Sequence, residues 1–144
     1  MRALLIALLA LLLPTPLVAE THDYSVGQVW EYRTAPEDSG SLLKIQTIET
    51  IGPETDPSEV FHISLIGIDL AGDGSNVSDL QHLPVSRKTL DESVTRLSDS
   101  AAEFPDYHEG LAEWRRANGG VFTISVAEIA DVIRVSFARV QARN

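Results

Sequence analysis

The chain of 144 residues contains no cysteine. A protein without cysteine has no disulfide framework, no thiolate nucleophile and no cysteine for a lipid anchor. Basic residues are also scarce, because 11 lysines and arginines stand against 21 aspartates and glutamates, for a formal net charge of −10. Binding to nucleic acid and to anionic membrane surfaces depends on clustered Lys and Arg. The charge balance therefore argues against both kinds of partner.

Long apolar runs are absent except at the N-terminus. Arg2 precedes an apolar run of 11 residues from Ala3 to Leu13, and two prolines and Ala19 follow. The run is too short for a bilayer-spanning helix, which needs about 20 residues. A positive charge, a short apolar run and a small residue in this order are typical of a secretory signal peptide. We therefore predict a signal peptide at 1–19, a single domain at 20–144, and a periplasmic or secreted bacterial protein without membrane attachment after cleavage.

The first half of the mature chain has the pattern of β-strands. Three stretches, at 26–34, 42–51 and 60–70, are rich in alternating or β-branched residues, and short turns with Gly and Pro separate them. Short turns favour antiparallel neighbours. In the first stretch the alternation places Trp30 and Tyr32 on the inward face. We expect an antiparallel meander of at least these three strands.

The second half has the pattern of helices. Ser86, Asp106 and Ser125 are each placed as helix N-caps, and Glu128 completes a capping box with Ser125. Between the second and third helices, 121–124 is a candidate fourth strand. The apolar residues that we expect to be buried at helical spacing are Leu90, Val94 and Leu97 in the first helix and Ile129, Ile133, Phe137 and Val140 in the last. The sequence thus predicts an α+β fold, an antiparallel three- or four-stranded meander with about three helices packed on one face.

One segment carries a resemblance to other proteins. The stretch 24–34, Tyr-Ser-Val-Gly-Gln-Val-Trp-Glu-Tyr-Arg-Thr, resembles the opening of a group of small exported bacterial proteins with a V-G-Q-V-W-x-Y segment. The stretches 82–87 and 121–128 are similar to later parts of the same group. The resemblance implies export and a common fold. It implies no activity and no site residues.

Motifs of catalysis are missing. Gly72-x-Gly74 has neither the third glycine of a dinucleotide-binding loop nor the lysine of a phosphate-binding loop, and His108-Glu109 lacks the second histidine of H-E-x-x-H. No serine lies in a G-x-S-x-G motif. We therefore expect no cofactor and favour a non-catalytic protein. An enzyme whose groups assemble from distant residues is the remaining alternative.

Two sets of residues have the chemistry of metal ligands. His62 and His82 would bind zinc or copper if the fold brings them together, although two histidines without a third ligand more often have a packing role. Trp30 and Tyr32 have core packing as their default role, and lining a small-ligand groove is the alternative. Oxygen ligands of the kind that calcium prefers, at a spacing unlike that of an EF-hand, are Asp69, Asp73, Asn76 and Asp79.

The distribution of charge favours a basic partner. The 42 residues from Ile45 to Ser86 contain no lysine or arginine, and a second such run lies between Arg96 and Arg115. A negative surface formed from these runs would steer a basic protein towards it, as in an inhibitor or immunity protein. The alternative is that the acids are scattered and keep the protein soluble. The predicted partner-binding residues are Glu54, Asp56, Glu59, Asp73 and Asp79.

Export gives the first testable prediction. A tagged full-length protein should be recovered outside the cytoplasm with a mature chain that starts at Glu20, as intact-mass measurement would show. Leu17 occupies the −3 position, where a small residue is usual, so an uncleaved anchor is the competing outcome. Retention of 1–19 in the exported protein would contradict cleavage and favour that anchor.

Overall fold

The computed structural model describes residues 21–144, so the predicted signal peptide lies outside the described residues. Five strands form one antiparallel sheet in the order β4-β3-β2-β1-β5. The strands are β1 Val29–Tyr32, β2 Leu42–Ile51, β3 Ser58–Asp69, β4 Val77–Ser86 and β5 Val94–Ser98. The helices are α1 Arg87–Ser93, α2 His108–Ala117 and α3 Val126–Gln141. The predicted α+β fold with an antiparallel meander and three helices is confirmed, with five strands instead of three or four.

Two of the five strands, β4 and β5, were not predicted. The sequence pattern left 77–86 without a strand and assigned the residues of β5 to the first helix. Ser86 is the N-cap of α1 as predicted, since its Oγ accepts from the N–H of Thr89, but the helix ends at Ser93. The chain then pairs with β1, placing Val94 opposite Tyr32. The open edge of β1 needs hydrogen-bond partners, and this requirement overrides the helical periodicity. Leu97, expected to be buried on a helix, is therefore 52% exposed on an edge strand.

The hydrophobic core lies on one face of the sheet, called here the inner face. Trp30 and Tyr32 point into it as predicted, at 5% and 7% exposure. The ring of Tyr24 packs edge-on against Trp30 and Phe61, with centroids 5.7 and 5.4 Å apart. The helical side chains that close this core are Leu90 from α1 and Val126, Ile129 and Ala130 from α3.

The predicted capping box of α3 is present. Ser125 Oγ accepts from the N–H of Glu128, and Glu128 Oε2 accepts from the N–H of Ser125 at 2.9 Å. The expected buried stripe is shorter than predicted, because Phe137 is only half-buried and Val140 is 57% exposed. The last turns of α3 thus extend beyond the core. Within residues 21–144 no helix has the length and apolarity needed to span a membrane.

The second helix differs from the prediction in its position. It packs on the opposite, outer face of the sheet, where Trp114 contacts His62, the strand neighbour of the inward-facing Phe61. Before α2, the chain crosses the outer face at the point where Lys44 Nζ lies 5.7 Å from the ring centroid of Phe104. Three helices are therefore divided between two faces, with α1 and α3 inside and α2 outside. The stretch 121–124 forms a single bridge to β4 and no strand.

A buried ion pair joins three parts of the fold at one end of the sheet. Asp38, in the short 3-10 turn Pro36–Asp38, is 1% exposed and accepts from Arg134 Nη2 of α3 at 2.6 Å. The other oxygen of Asp38 accepts from the N–H of Asp69 at 2.9 Å, and Arg134 Nε donates to the carbonyl of Asp69 at 2.9 Å. We call Asp38, Asp69 and Arg134 the arginine junction. It fixes α3 to the end of β3 and to the turn before β2.

The arginine junction gives a stability prediction. Arg134→Met should lower the free energy of unfolding by about 3–5 kcal/mol, because it leaves the Asp38 carboxylate buried without its cation. Arg139→Met, on the exposed side of the same helix, is the matched control and should change it by less than about 0.5 kcal/mol. Urea denaturation of both variants measures the difference. Equal midpoints for the two variants would show that the junction contributes no stability.

Candidate functional site

The structure brings the two predicted histidines together on the outer face. In the ladder between β3 and β4, His62 is opposite Pro84, so that His82 lies on the same side of the sheet. The rings are nearly parallel, at 14°, and His62 Nδ1 is 2.8 Å from His82 Nε2. The condition set for a metal site, that His62 and His82 lie close together, is therefore met. It takes the form of a hydrogen bond from one ring to the other.

Helix α2 covers this histidine pair. His62 is completely buried, and the ring of Trp114 meets it edge-on with centroids 4.7 Å apart. The backbone of α2 approaches closely at Gly110, where an added Cβ would come within 2.6 Å of His82 Cβ. Glycine in a helix interior costs about 1 kcal/mol relative to alanine, and here it permits this contact. The glycine is the one local feature of the sequence that signals close packing of α2.

A carboxylate and a guanidinium complete the cluster. Glu49 on β2 has one oxygen 3.8 Å from His62 Nε2, and its other oxygen accepts from Arg115 Nε of α2 at 2.8 Å. His62 Nε2 is buried and has no hydrogen-bond partner among the described residues. Burial, with repulsion from His82 next in size, lowers the pKa of His62 to about 4. Burial also lowers the pKa of His82, so both rings are neutral at pH 7. We call Glu49, His62, His82, Trp114 and Arg115 the histidine cluster.

The geometry of the histidine cluster does not support the predicted metal site. One nitrogen of each ring is engaged in the hydrogen bond between the rings, and Glu49 is engaged by Arg115, whose charge would repel a cation. Among residues 21–144 no group of three or more His, Cys, Asp or Glu side chains is arranged to hold a metal ion. Structural zinc sites have four ligands, and catalytic sites have three. The cluster is therefore assigned to the packing of α2 on the sheet.

The calcium candidates have partners within their own loop. The Asp69 carboxylate accepts from the N–H groups of Ala71, Gly72 and Gly74 at 3.2, 3.0 and 2.6 Å. Asp73, Asn76 and Asp79 accept respectively from the Ser75 N–H, the Ser78 hydroxyl and the Gly67 N–H. Hydrogen bonds to Ser75 lower the pKa of Asp73, which stabilises its charged form. The loop between β3 and β4 is thus ordered by its own carboxylates.

The predicted aromatic groove is not formed, because Trp30 and Tyr32 fill the inner core. The Tyr32 hydroxyl is 2.7 Å from Ser41 Oγ, and burial raises the pKa of Tyr32 to about 12. A cleft of about 310 Å³ beside this hydroxyl is lined by polar groups that include Glu31 and Thr95. Trp30 does not line it. The two rings therefore offer no apolar face to a ligand.

The predicted partner-binding residues are spread along the length of β3. Glu54 and Asp56 lie in the turn that precedes β3, whereas Asp73 lies in the loop that follows it. The twelve residues of β3 separate these positions by about 35 Å. Glu59 forms an ion pair with Arg87 at 2.8 Å. Binding of a partner by these five residues stays a prediction.

A different set of acids lies together on the outer face. The chain from β5 to α2 crosses this face and carries Asp99, Glu103 and Asp106, all exposed. Asp79 is on β4, three residues before the histidine against which α2 packs, or about 10 Å along the strand. The backbone N–H of His108 lowers the pKa of Asp106, which favours its charge. We call these four residues and Glu109 the outer acidic surface.

Comparison with protein-family models, with curated proteins and with solved structures returned no match. The resemblance to exported proteins with a V-G-Q-V-W-x-Y segment accordingly stays a prediction. The assignment of function depends on the geometry described above.

The assignment of the histidine cluster to packing has a direct test. Excess zinc or copper should leave the Tm of the mature protein unchanged, because a site that binds metal in the folded state alone would raise it by mass action. Thermal denaturation with and without metal measures this. A rise in Tm that His62→Gln abolishes would contradict the assignment and restore the predicted metal site. The exposed residue changed in His108→Gln serves as the control for surface histidine binding.

Proposed function

We propose that this protein is a small exported, non-catalytic binding protein whose outer acidic surface engages a basic protein, in the manner of an inhibitor or immunity protein. The proposal rests on the difference between basic and acidic side chains in the formation of ion pairs. Six of the ten lysines and arginines among the described residues form ion pairs within the chain, whereas the acids of the outer acidic surface are exposed and form no ion pair with lysine or arginine.

The pairing of the cations is extensive. Ion pairs within the described residues join Arg87 to Glu59, Lys88 to Glu92, Arg96 to Glu31, Arg115 to Glu49, Arg116 to Glu113 and Arg134 to Asp38. By contrast, none of the described lysines or arginines forms an ion pair with a residue of the outer acidic surface; Asp106 contacts only His108. The negative charge of this surface is therefore available to a partner.

The position of the outer acidic surface suits a protein partner. The sheet is five strands wide, and its outer face is about 20 Å across at the usual spacing of strands. The crossing segment spans this width and is fully exposed at Asp99, Glu103 and Asp106. Exposed charges of one sign accelerate encounter with an oppositely charged protein and make its affinity depend on salt.

The histidine cluster supports a non-catalytic role. A general acid or base must reach its substrate within hydrogen-bond distance. His62 has no exposed surface, and Glu49 is engaged by Arg115. These groups hold α2 and do not line an open cleft.

The proposal is tested by capture of a partner from a cell-envelope fraction, followed by affinity measurement at two salt concentrations. The triple variant Asp79→Asn, Glu103→Gln, Glu109→Gln should weaken binding about tenfold, since three exposed charge pairs at about 0.5 kcal/mol each give this factor. The affinity of the unmodified protein should also fall between about 50 and 150 mM salt, as screening increases.

The matched control removes the same number of charges elsewhere. Glu54→Gln, Asp56→Asn, Asp73→Asn neutralises exposed acids at the two ends of β3 and should change the affinity less than about twofold. A partner that binds both triple variants equally well, or whose affinity does not respond to salt, would overturn the proposal. Weaker binding by the control alone would move the interface to the ends of β3.

A further inference from the structure

The attachment of α2 to the sheet is narrow. In this helix Leu111 is the buried residue, and Trp114 and Gly110 supply the close contacts with the histidine pair. The core that holds α1 and α3 lies on the other face of the sheet and includes no residue of α2. Elements with few buried apolar contacts can open without unfolding the whole domain. Helix α2 is therefore able to separate from a sheet that stays folded.

The groups beneath α2 are unbalanced in charge once a histidine is protonated. The charged and titratable groups that face the pair are Glu49 from β2 and Arg115 from α2. With both rings neutral, Glu49 and Arg115 compensate one another. With one proton added, His62 and Arg115 both carry a positive charge beside the one carboxylate of Glu49, and the charge on the fully buried His62 is costly without its own partner.

We infer that the contact between α2 and the outer face is a pH-sensitive joint, in which acidification charges the His62–His82 pair and releases α2 while the inner core stays intact. Protonated His62 Nε2 would be attracted to the Glu49 carboxylate, 3.8 Å away. In the docked state this carboxylate is paired with Arg115. Competition for one carboxylate and repulsion between cations both weaken the hold of Arg115. The last turn of α2 then loses its ion pair to the sheet.

The direction of the effect follows from linkage. Burial of His62 lowers its pKa from 6.5 to about 4, so the docked state disfavours the proton. A group with a lowered pKa in the docked state contributes stability that is present above pH 6.5 and is lost as the pH falls towards 4. Each unit of pH below 6.5 therefore reduces the ratio of docked to released α2 by up to about tenfold.

The two tryptophans permit a direct experiment on the full mature chain. The Trp114 indole N–H donates to the carbonyl of Gly120 at 2.8 Å, whereas the Trp30 indole N–H donates to Gln28 Oε1 at 3.1 Å in the core region. The ring of His22 lies 5.1 Å from that of Trp30, so the spectra are recorded on the His22→Gln variant to keep Trp30 as a reference. In ¹⁵N–¹H NMR spectra with EDTA present, lowering the pH from about 7 to about 5 should then shift the Trp114 indole signal and leave the Trp30 signal in place. Hydrogen-exchange protection of α2 amides should fall at least tenfold relative to β3 amides.

Variants identify the histidines as the cause. His62→Gln and His82→Gln should each remove most of the pH dependence of α2 protection, because a neutral amide replaces the titrating ring. His108→Gln, at an exposed histidine, should retain the full response. Where His62→Gln prevents folding, titration of the His62 and His82 ring signals in the unmodified protein, together with His82→Gln, supplies the same test.

Three outcomes would overturn the inference. One is an unchanged Trp114 signal and unchanged α2 protection down to pH 5. Another is simultaneous loss of the Trp30 and Trp114 signals, which would show unfolding of the whole domain. The third is an equal pH response in the two histidine variants and in His108→Gln.

Discussion

The rest of the fold depends on the burial of the Asp38 carboxylate against Arg134. A carboxylate with 1% exposure costs several kcal/mol unless a cation and hydrogen-bond donors surround it, and the cation here comes from the C-terminal helix, 96 positions later. Formation of this pair therefore requires that α3, the turn before β2 and the end of β3 have reached their final positions. The carboxylate of Asp69 extends the same arrangement into the next loop, where it accepts three backbone N–H groups. Local order at this end of the sheet is thus a consequence of long-range order.

Features fixed by neighbouring residues were predictable from the sequence. The Ser86 cap and the Ser125–Glu128 capping box depend on three or four adjacent residues, and both are present. The third predicted cap is wrong by one position, since the N-cap of α2 is Tyr107 and Asp106 accepts from the N–H of His108. The inward direction of Trp30 follows from strand alternation alone. Features that depend on a distant partner were missed. Val94 and Leu97 have the spacing of a helix, but they form a strand because β1 offers an open edge. Phe137 has the right spacing for burial, and the core ends before it.

The same distinction applies to the candidate site. His62 and His82 were candidate ligands from the sequence, but their meeting was not predictable, because no strand was expected around His82. Glu49, Trp114 and Arg115 were missed, since they come from β2 and α2 and no local pattern connects them to a histidine. The predicted partner-binding residues are spread along the length of β3. Residues that are close in sequence, such as Asp56 and Asp73, are placed at opposite ends of a long strand, whereas Asp79 and Asp106 belong to one face.

The two faces of the sheet have different physical properties. The inner face is apolar and closed by two helices, and neither His62 nor His82 belongs to its core. The outer face carries the histidine cluster and the outer acidic surface, and α2 is part of both. In the two proposals, protons and a basic partner therefore act on the same helix. Linkage requires that two ligands whose binding depends on the position of the same helix each change the affinity of the protein for the other. A partner that holds α2 in place must then lower the proton affinity of the His62–His82 pair, and acidification must weaken the partner by the same factor. This reciprocity connects the binding surface to the cluster beneath it without any contact between partner and histidine.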